Sequence, residues 1–220
     1  MPIPLRHPLS GRVRATALAL VTAAMVSAGG VPVRAADAEG RYAIKGVGLM
    51  NCGQLVQAFE KNRDPVLEVV ASWLGGYITA QNRAKDGVVD VAPWQSILLL
   101  AELLANHCRA YPDQAVFVAT DLMLRAMAPT AMAEQSESER IDAGDGRTIE
   151  IFRSVLQRAQ RQLIEQGYLS GAADGRFGPK TAEAFGTFQA AKNLEITRLP
   201  DQQTLLALFS PLWNVQRQSN

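Results

Sequence analysis

The chain has 220 residues, 48% of them hydrophobic and 20% charged, a composition that belongs to a folded globular protein and excludes wholesale disorder. Lysine plus arginine number 22 and aspartate plus glutamate 21, a formal charge of +1, which argues against a nucleic-acid binder working through a basic surface. Two cysteines and two histidines in the whole chain exclude a cysteine-rich zinc scaffold and most multi-histidine centres, so no metal and no cofactor are expected.

The first segment reads as an address. Arg6, Arg12 and Arg14 stand without an acid, residues 15–31 are small and apolar, and Ala-x-Ala-like cleavage sites follow, after Ala35 or Ala38. This order predicts a secretory signal peptide over 1–35. An uncleaved anchor is the alternative, but a 17-residue stretch rich in Ala, Gly, Ser and Thr would span a bilayer poorly. No Arg-Arg pair precedes it, which favours the general export route. Nothing later is long and apolar enough to cross a membrane. The expectation is therefore a periplasmic protein with no transmembrane anchor after cleavage. Losing 1–35 removes four Arg and no acid, leaving 18 basic and 21 acidic residues, a charge of −3, and His107 as the remaining histidine.

Residues 39–128 carry helical periodicity. A short first helix includes Leu55, Val56 and Phe59. Asp64-Pro65 pairs an N-cap residue with proline at the first helical position. Val66, Val69, Val70, Trp73, Tyr77 and Ile78 then recur at steps of three and four, one apolar face. A third helix is predicted from about Ala92 to Arg109, started by Pro93, with Ile97, Leu98, Ala101, Leu104 and Cys108 in its stripe. A fourth begins near Pro112-Asp113 with Val116, Ala119, Leu122, Met123 and Ala126. Gly75-Gly76 inside the second helix each cost roughly 1 kcal/mol relative to Ala; close approach of another helix, or a substrate groove, would account for them. The reading is a bundle of four or five helices.

An exported pair of cysteines is most simply a disulfide. A Cys52–Cys108 bond would close a loop of roughly 55 residues and contribute on the order of 4 kcal/mol in the chain-entropy model. A Cys108–His107 catalytic pair is disfavoured, because adjacent helical residues point about 100° apart. The runs NCGQLVQAF, SWLGGYITAQN and LLANHCRAYPDQAVFVA resemble the HdeA-like periplasmic helical domains over about Val47–Met127. That resemblance implies a small exported all-α domain stapled by one disulfide, here ending in Cys108-Arg-Ala-Tyr-Pro112. It also implies the acid-activated chaperone activity of known members, with unfolded proteins as clients.

Residues 129–147 follow with five acids, two Arg, Ser and Gly. They read as an acidic linker, with a short helical turn near Ala131–Arg140 and little that could enter a core.

Residues 148–212 give a sharper pattern. Ile149, Phe152, Val155, Leu156, Ala159, Leu163 and Ile164 form one helical face, ended by Gly167. Asp174-Gly175 and Gly178-Pro179 punctuate a structured loop in which both glycines can take φ > 0. Pro179 opens a second helix with Ala184, Phe185, Phe188 and Ala191 inward. Asp201 is a candidate N-cap for a last helix burying Leu205, Leu208 and Phe209. Three helices and two loops predict a compact bundle. No internal repeat is evident.

The run Gln166-Gly167-Tyr168, Gly171, Asp174-Gly175-Arg176-Phe177-Gly178-Pro179-Lys180-Thr181, Ala184, Phe188-Gln189, Leu194, Thr197, Pro200-Asp201 and Thr204-Leu205 closely resembles the peptidoglycan-binding type 1 domain. Two departures stand out: Asn193 where glycine is usual, a mild change because Asn tolerates the left-handed region, and Arg198 where the glycine after Thr is usual. The resemblance implies peptidoglycan as ligand. Tyr168, Arg176, Lys180 and Gln189 are the groups expected to be free to meet it, with Asp174 and Phe177 in the same matched loop. Arg176 or Lys180 could pair stem-peptide carboxylates and Tyr168 could stack on a sugar. Asp174 reads as a loop-organising acceptor.

Catalysis is not expected. A zinc amidase needs several His ligands, a Cys transpeptidase needs a free thiol, and Gly-x-Ser-x-Gly and Ser-x-x-Lys are absent. Carboxylates such as Glu60, Glu68 and Glu102 leave a lysozyme-like mechanism open by motif alone. The expected whole is a non-catalytic, all-α protein: a disulfide-stapled bundle of four or five helices, then a three-helix peptidoglycan-binding bundle. The alternatives are an acid-stress chaperone and a targeting subunit for another periplasmic protein, a cell-wall enzyme.

Overall fold

The computed structural model describes residues 37, 39–142, 144 and 146–215; the expected signal peptide, 1–35, lies outside them. The described residues fall into two units, one ending at Tyr42 and one starting at Ala43. In the first, the Asp37 carboxylate accepts from the amides of Glu39 (3.1 Å) and Arg41 (2.8 Å) and pairs with Arg41 Nε (2.9 Å). The Arg41 amide above all holds the Asp37 carboxyl below its ordinary pKa.

The second unit opens with a 3-10 turn, Gly46–Leu49, and four helices: α1 (Cys52–Lys61), α2 (Arg63–Ala84), α3 (Ile97–Ala110) and α4 (Val116–Ala126). Asn51 caps α1 reciprocally with Gln54: the Gln54 amide reaches Asn51 Oδ1 at 2.8 Å and the Asn51 amide reaches Gln54 Oε1 at 3.0 Å. The Cys52–Cys108 disulfide joins α1 to the end of α3 across a sequence separation of 56. Around it Leu55, Phe59, Val70, Leu74, Leu100, Leu104 and Val116 form a buried core. His107 is half-buried and meets Gln114 Oε1 at 2.6 Å. The expected helix starts shift. α2 begins at Arg63, one residue before Asp64. α3 begins at Ile97, because Ser96 Oγ accepts from the Leu99 amide at 3.1 Å and so caps the helix there. Residues 91–96 are thus irregular, and Pro93 does not start a helix. Gly75 and Gly76 have nothing within 4 Å of a would-be Cβ; no helix approaches them closely.

The acidic segment does more than link. A 3-10 turn (Ala128–Thr130) precedes Met132, whose amide reaches the Asp90 carbonyl at 2.8 Å while its own carbonyl accepts from the Val89 amide at 2.8 Å. Strand β1 (Ser138–Asp142) then pairs antiparallel with β2 (Thr148–Phe152), Ile141 opposite Ile149. Thr130, Met132 and Ile141 are buried. The expected turn near Ala131–Arg140 is extended chain. Ile149 and Phe152, expected on a helix, lie in β2, and helix α5 (Arg153–Glu165) starts after them. Among the described residues the fold is therefore mostly helical with one small two-stranded sheet.

Helices α5, α6 (Pro179–Ala191) and α7 (Gln202–Val215) follow. Their core joins Leu156, Leu163, Phe185, Phe188, Leu205, Leu208 and Phe209 to Ile141 and Ile151 of the hairpin and to Trp94 from the irregular 91–96 segment. The Trp94 and Phe209 ring centroids lie 5.6 Å apart. Gln202 fastens the same place: its Nε2 donates to the Trp94 carbonyl (2.5 Å) and its Oε1 accepts from the Ser96 amide (2.8 Å). Arg158 donates to the carbonyls of Pro129 (3.0 Å) and Ala131 (3.3 Å); burial, and then Arg161, hold its pKa below the usual value. Among the described residues no helix is long and apolar enough to cross a membrane.

Candidate functional site

The loops after α5 and α6 are built on one plan. Each helix ends in a Schellman motif. Gly167 at φ +79° ends α5, with Tyr168 N–H on the Leu163 carbonyl (2.8 Å) and Gly167 N–H on that of Ile164 (3.0 Å). Asn193 at φ +54° ends α6, with Leu194 N–H on the Gln189 carbonyl (2.9 Å) and Asn193 N–H on that of Ala190 (3.2 Å). In each case a buried glutamine of the helix before the loop gathers the returning chain. Gln160 Nε2 donates to Asp174 Oδ1 (3.0 Å), the Arg176 carbonyl (3.0 Å) and Thr181 Oγ1 (3.2 Å), while its Oε1 accepts from the Gly175 amide (2.7 Å). Gln189 Nε2 donates to Thr197 Oγ1 (2.7 Å), the Leu199 carbonyl (3.1 Å), Asp201 Oδ2 (3.3 Å) and Thr204 Oγ1 (2.7 Å), while its Oε1 accepts from the Arg198 amide (2.8 Å). Asp174, Gly175, Arg176 and Thr181 thus correspond to Thr197, Arg198, Leu199 and Thr204. This is an internal repeat. It is carried by hydrogen bonding rather than by residue identity, which is why the sequence does not display it.

The first loop forms a groove of about 600 Å³ lined by Leu169, Gly171, Asp174, Arg176, Phe177 and Lys180 among others, with Gly178, Pro179 and Thr181 at the start of α6. Gly175 makes the tight approach possible: it sits at φ +72°, and a Cβ there would lie 2.8 Å from the Arg153 carbonyl oxygen. Gly178, expected to be free for φ > 0, is extended at φ −140°. Asp174 Oδ1 also accepts from the Arg176 amide (2.9 Å), and this bond, followed by the one from Gln160, holds the Asp174 carboxyl below its ordinary pKa. Phe177 is half-buried against Phe185, ring centroids 6.4 Å apart, and its amide donates to Glu139 Oε1 at 2.9 Å. An acid of the expected linker therefore braces the groove. Arg176 and Lys180 stay exposed. Two cationic side chains beside the amino end of a helix suit an anion such as a carboxylate. The corresponding cavity at the second loop carries Glu195 and Asp201 with Arg147, the less favourable charge for such a ligand.

The structure thus brings together Asp174, Arg176, Phe177 and Lys180. Tyr168 does not line this groove; it stands edge-on against Phe188, centroids 5.4 Å apart at 87°. Gln189 is corrected outright: with 0% exposure it cannot meet a polymer, because a planar amide with both ends in use is the most economical way to tie a returning loop to a helix. Gln160 was missed for the converse reason. Its signal is legible: one amide within the apolar stripe of Leu156, Ala159 and Leu163. Leu169 and Gly171 carry no chemistry that marks them. Among the described residues no group of three or more His, Cys, Asp or Glu is placed to hold a metal ion.

Residues 153–208, from the first turn of α5 well into α7, match the family model described as "Putative peptidoglycan binding domain". The match supports a C-terminal peptidoglycan-binding domain and does not extend to α1–α4. Neither the comparison with curated proteins nor that with solved structures gives a match.

Proposed function

We propose that the protein is a non-catalytic, exported binder of cell-wall peptidoglycan, in which the three-helix module of residues 148–212 holds the helical domain of residues 39–128 at the wall of the periplasm. The observation that carries this is the first-loop groove, lying wholly within the family match, with Arg176 and Lys180 exposed beside the amino end of α6. Stem peptides of peptidoglycan bear carboxylates, and the exposure of both cations supports a pairing with them. The test is retention of the whole exported chain on purified sacculi. Retention is expected, weakening as salt is added, with the double variant Arg176→Ala/Lys180→Ala held several-fold less and less sensitive to salt than wild type. A chain that passes through unretained sinks the proposal.

A second reading concerns α1–α4. Val69, Leu98 and Leu122, on α2, α3 and α4, are 59%, 53% and 47% exposed, and such side chains would be available to a partner if they act together. On this reading the stapled helices hold unfolded clients in acid, as the HdeA-like resemblance implies, or dock a cell-wall enzyme. Suppression of client aggregation at about pH 2–3, where carboxylates protonate, tests the first, and co-purification of a stoichiometric enzyme from periplasm tests the second.

A further inference from the structure

The first-loop groove carries charges of both signs that the chain itself does not use. Asp174, Arg176 and Lys180 line it, and all three are exposed. Asp174 Oδ1 is spent on the loop, accepting from Gln160 Nε2 (3.0 Å) and from the Arg176 amide (2.9 Å). Its other oxygen, Oδ2, bonds to no other described residue, and neither Arg176 nor Lys180 enters an ion pair among them. At the second loop the cations are answered from within: Arg198 pairs with Glu183 at 3.8 Å and Arg147 with Glu195 at 3.6 Å. Of two loops built on one plan, the first keeps its charges open.

The pattern of charge says what would answer it. Two cations and one carboxylate oxygen call for a ligand with two anionic groups and one cation. The bonds at Oδ1 hold the Asp174 carboxyl below its ordinary pKa, so it is charged at neutral pH. The groove volume of about 600 Å³ lies within the roughly 300–1,000 Å³ of pockets that take a small ligand, room for the end of a short peptide. Leu169 and Phe177 in the same lining suit the methylene chain that separates the charged groups of a diamino acid. A neutral sugar brings no cation for Asp174 and no anion for Arg176 or Lys180.

We propose that the groove reads a free amine together with carboxylates: Asp174 Oδ2 accepts from the side-chain ammonium of a diamino residue in a stem peptide, while Arg176 and Lys180 pair with stem carboxylates. In a cross-linked wall that amine is acylated and uncharged, so the module favours stems that are not cross-linked through it. The inference deepens the wall-binding reading and rests on it, adding a preference among the stems of one polymer. It also gives the two oxygens of Asp174 separate tasks, Oδ1 holding the loop and Oδ2 meeting the ligand.

The test titrates the whole exported chain with two soluble stem tetrapeptides, identical except that the side-chain amine of the diamino residue is free in one and acetylated in the other. The free-amine peptide is expected to bind roughly fivefold tighter, the upper end of what an exposed ion pair contributes, and to shift the Asp174 carboxyl resonance. Asp174→Asn keeps an oxygen for Gln160 and the Arg176 amide and puts a neutral amide in place of Oδ2. It should bind both peptides at the weaker level, with Tm little changed. Should that variant fail to fold, the wild-type pair decides alone. Equal binding of the two peptides by wild type, or a preference that survives in Asp174→Asn, overturns the proposal. Sacculus retention is scored separately: retention without amine preference removes the amine contact and leaves the wall-binding reading, whereas amine preference without retention does the reverse.

Discussion

Two loops in one small module face the same mechanical problem and answer it with different residues. The buried glutamine and the second left-handed residue are 15 positions apart for the loop after α5 (Gln160 to Gly175) and 9 apart for the loop after α6 (Gln189 to Arg198). Both end their helix with a left-handed residue, both place a second left-handed residue against a buried glutamine, and both close on a threonine hydroxyl. The longer loop uses glycine at both left-handed positions; the shorter uses Asn193 and Arg198 at φ 54° and 59°. The extra length of the first loop forms the groove that ends in Arg176 and Lys180, while the second presents Glu195 and Asp201. The lesson is that a hydrogen-bonding scaffold can be duplicated while charge, length and ligand chemistry diverge on top of it. It also shows that a glycine can be replaced where the loop is held tightly enough to impose φ > 0 on another residue.

The largest effect expected is from removing either glutamine. Gln189→Leu should lower stability by about 3 kcal/mol, since it orphans the Arg198 amide and several buried acceptors at once. Gln160→Leu should cost somewhat less, one of its acceptors, Asp174, being exposed. Urea denaturation of the whole chain measures both, and a loss below about 1 kcal/mol would show that the glutamines do not hold the loops. Next, Gly175→Ala should cost about 2 kcal/mol, because the left-handed backbone and the contact with the Arg153 carbonyl act together. Sacculus retention should fall with it, as the groove must shift. The equivalent position breaks the other way: Arg198→Gly should raise stability by about 1 kcal/mol through relief of a non-glycine left-handed residue. Equal signs at 175 and 198 would dissolve the proposed correspondence.

The smallest effect is a difference in acid response. Asp174 has its folded pKa lowered, so its bonds stabilise the first loop above the ordinary value of 3.8 and are lost as pH falls through the folded pKa. Thr197 holds the matching place in the second loop and does not titrate. Following the Arg176 amide resonance from pH 5 down to about pH 2 should show it moving as this contact is lost. Asp174→Asn, which keeps the acceptor oxygen, should flatten that curve.

Much of the molecule was legible in advance, and the misreadings share a cause. Helix existence followed from apolar spacing in every case, and Cys52–Cys108 followed from there being one pair. The start of α3 was misplaced because Pro93 looks like a helix opener, whereas Ser96 supplies the cap and Trp94 is held in the core of the other helices. Ile149 and Phe152 were read as helical because their three-residue spacing serves a helix as well as a strand end. Only the partner strand, with Ile141 opposite Ile149, decides between them. Ser138–Asp142 itself holds a single apolar residue, too little to announce a strand. In the site, Asp174, Arg176 and Lys180 were readable because charge at a turn stays outside; Gln189 was not, because an amide reads as polar and therefore exposed until its partners are assembled.

By itself, then, the sequence determined the helices, the disulfide and the two loops, since periodicity, capping chemistry and turn residues act over a few positions and are written locally; the class of domain in residues 148–212 was implied by a resemblance, which the family match over 153–208 supports. The tertiary structure alone decided that the acidic segment folds into a hairpin bracing the groove, that Trp94 and Ser96 close on α7, and that the glutamine beneath each loop is buried. Those outcomes depend on which distant groups meet, and a buried polar group is recognised by its partners rather than by its neighbours in the chain.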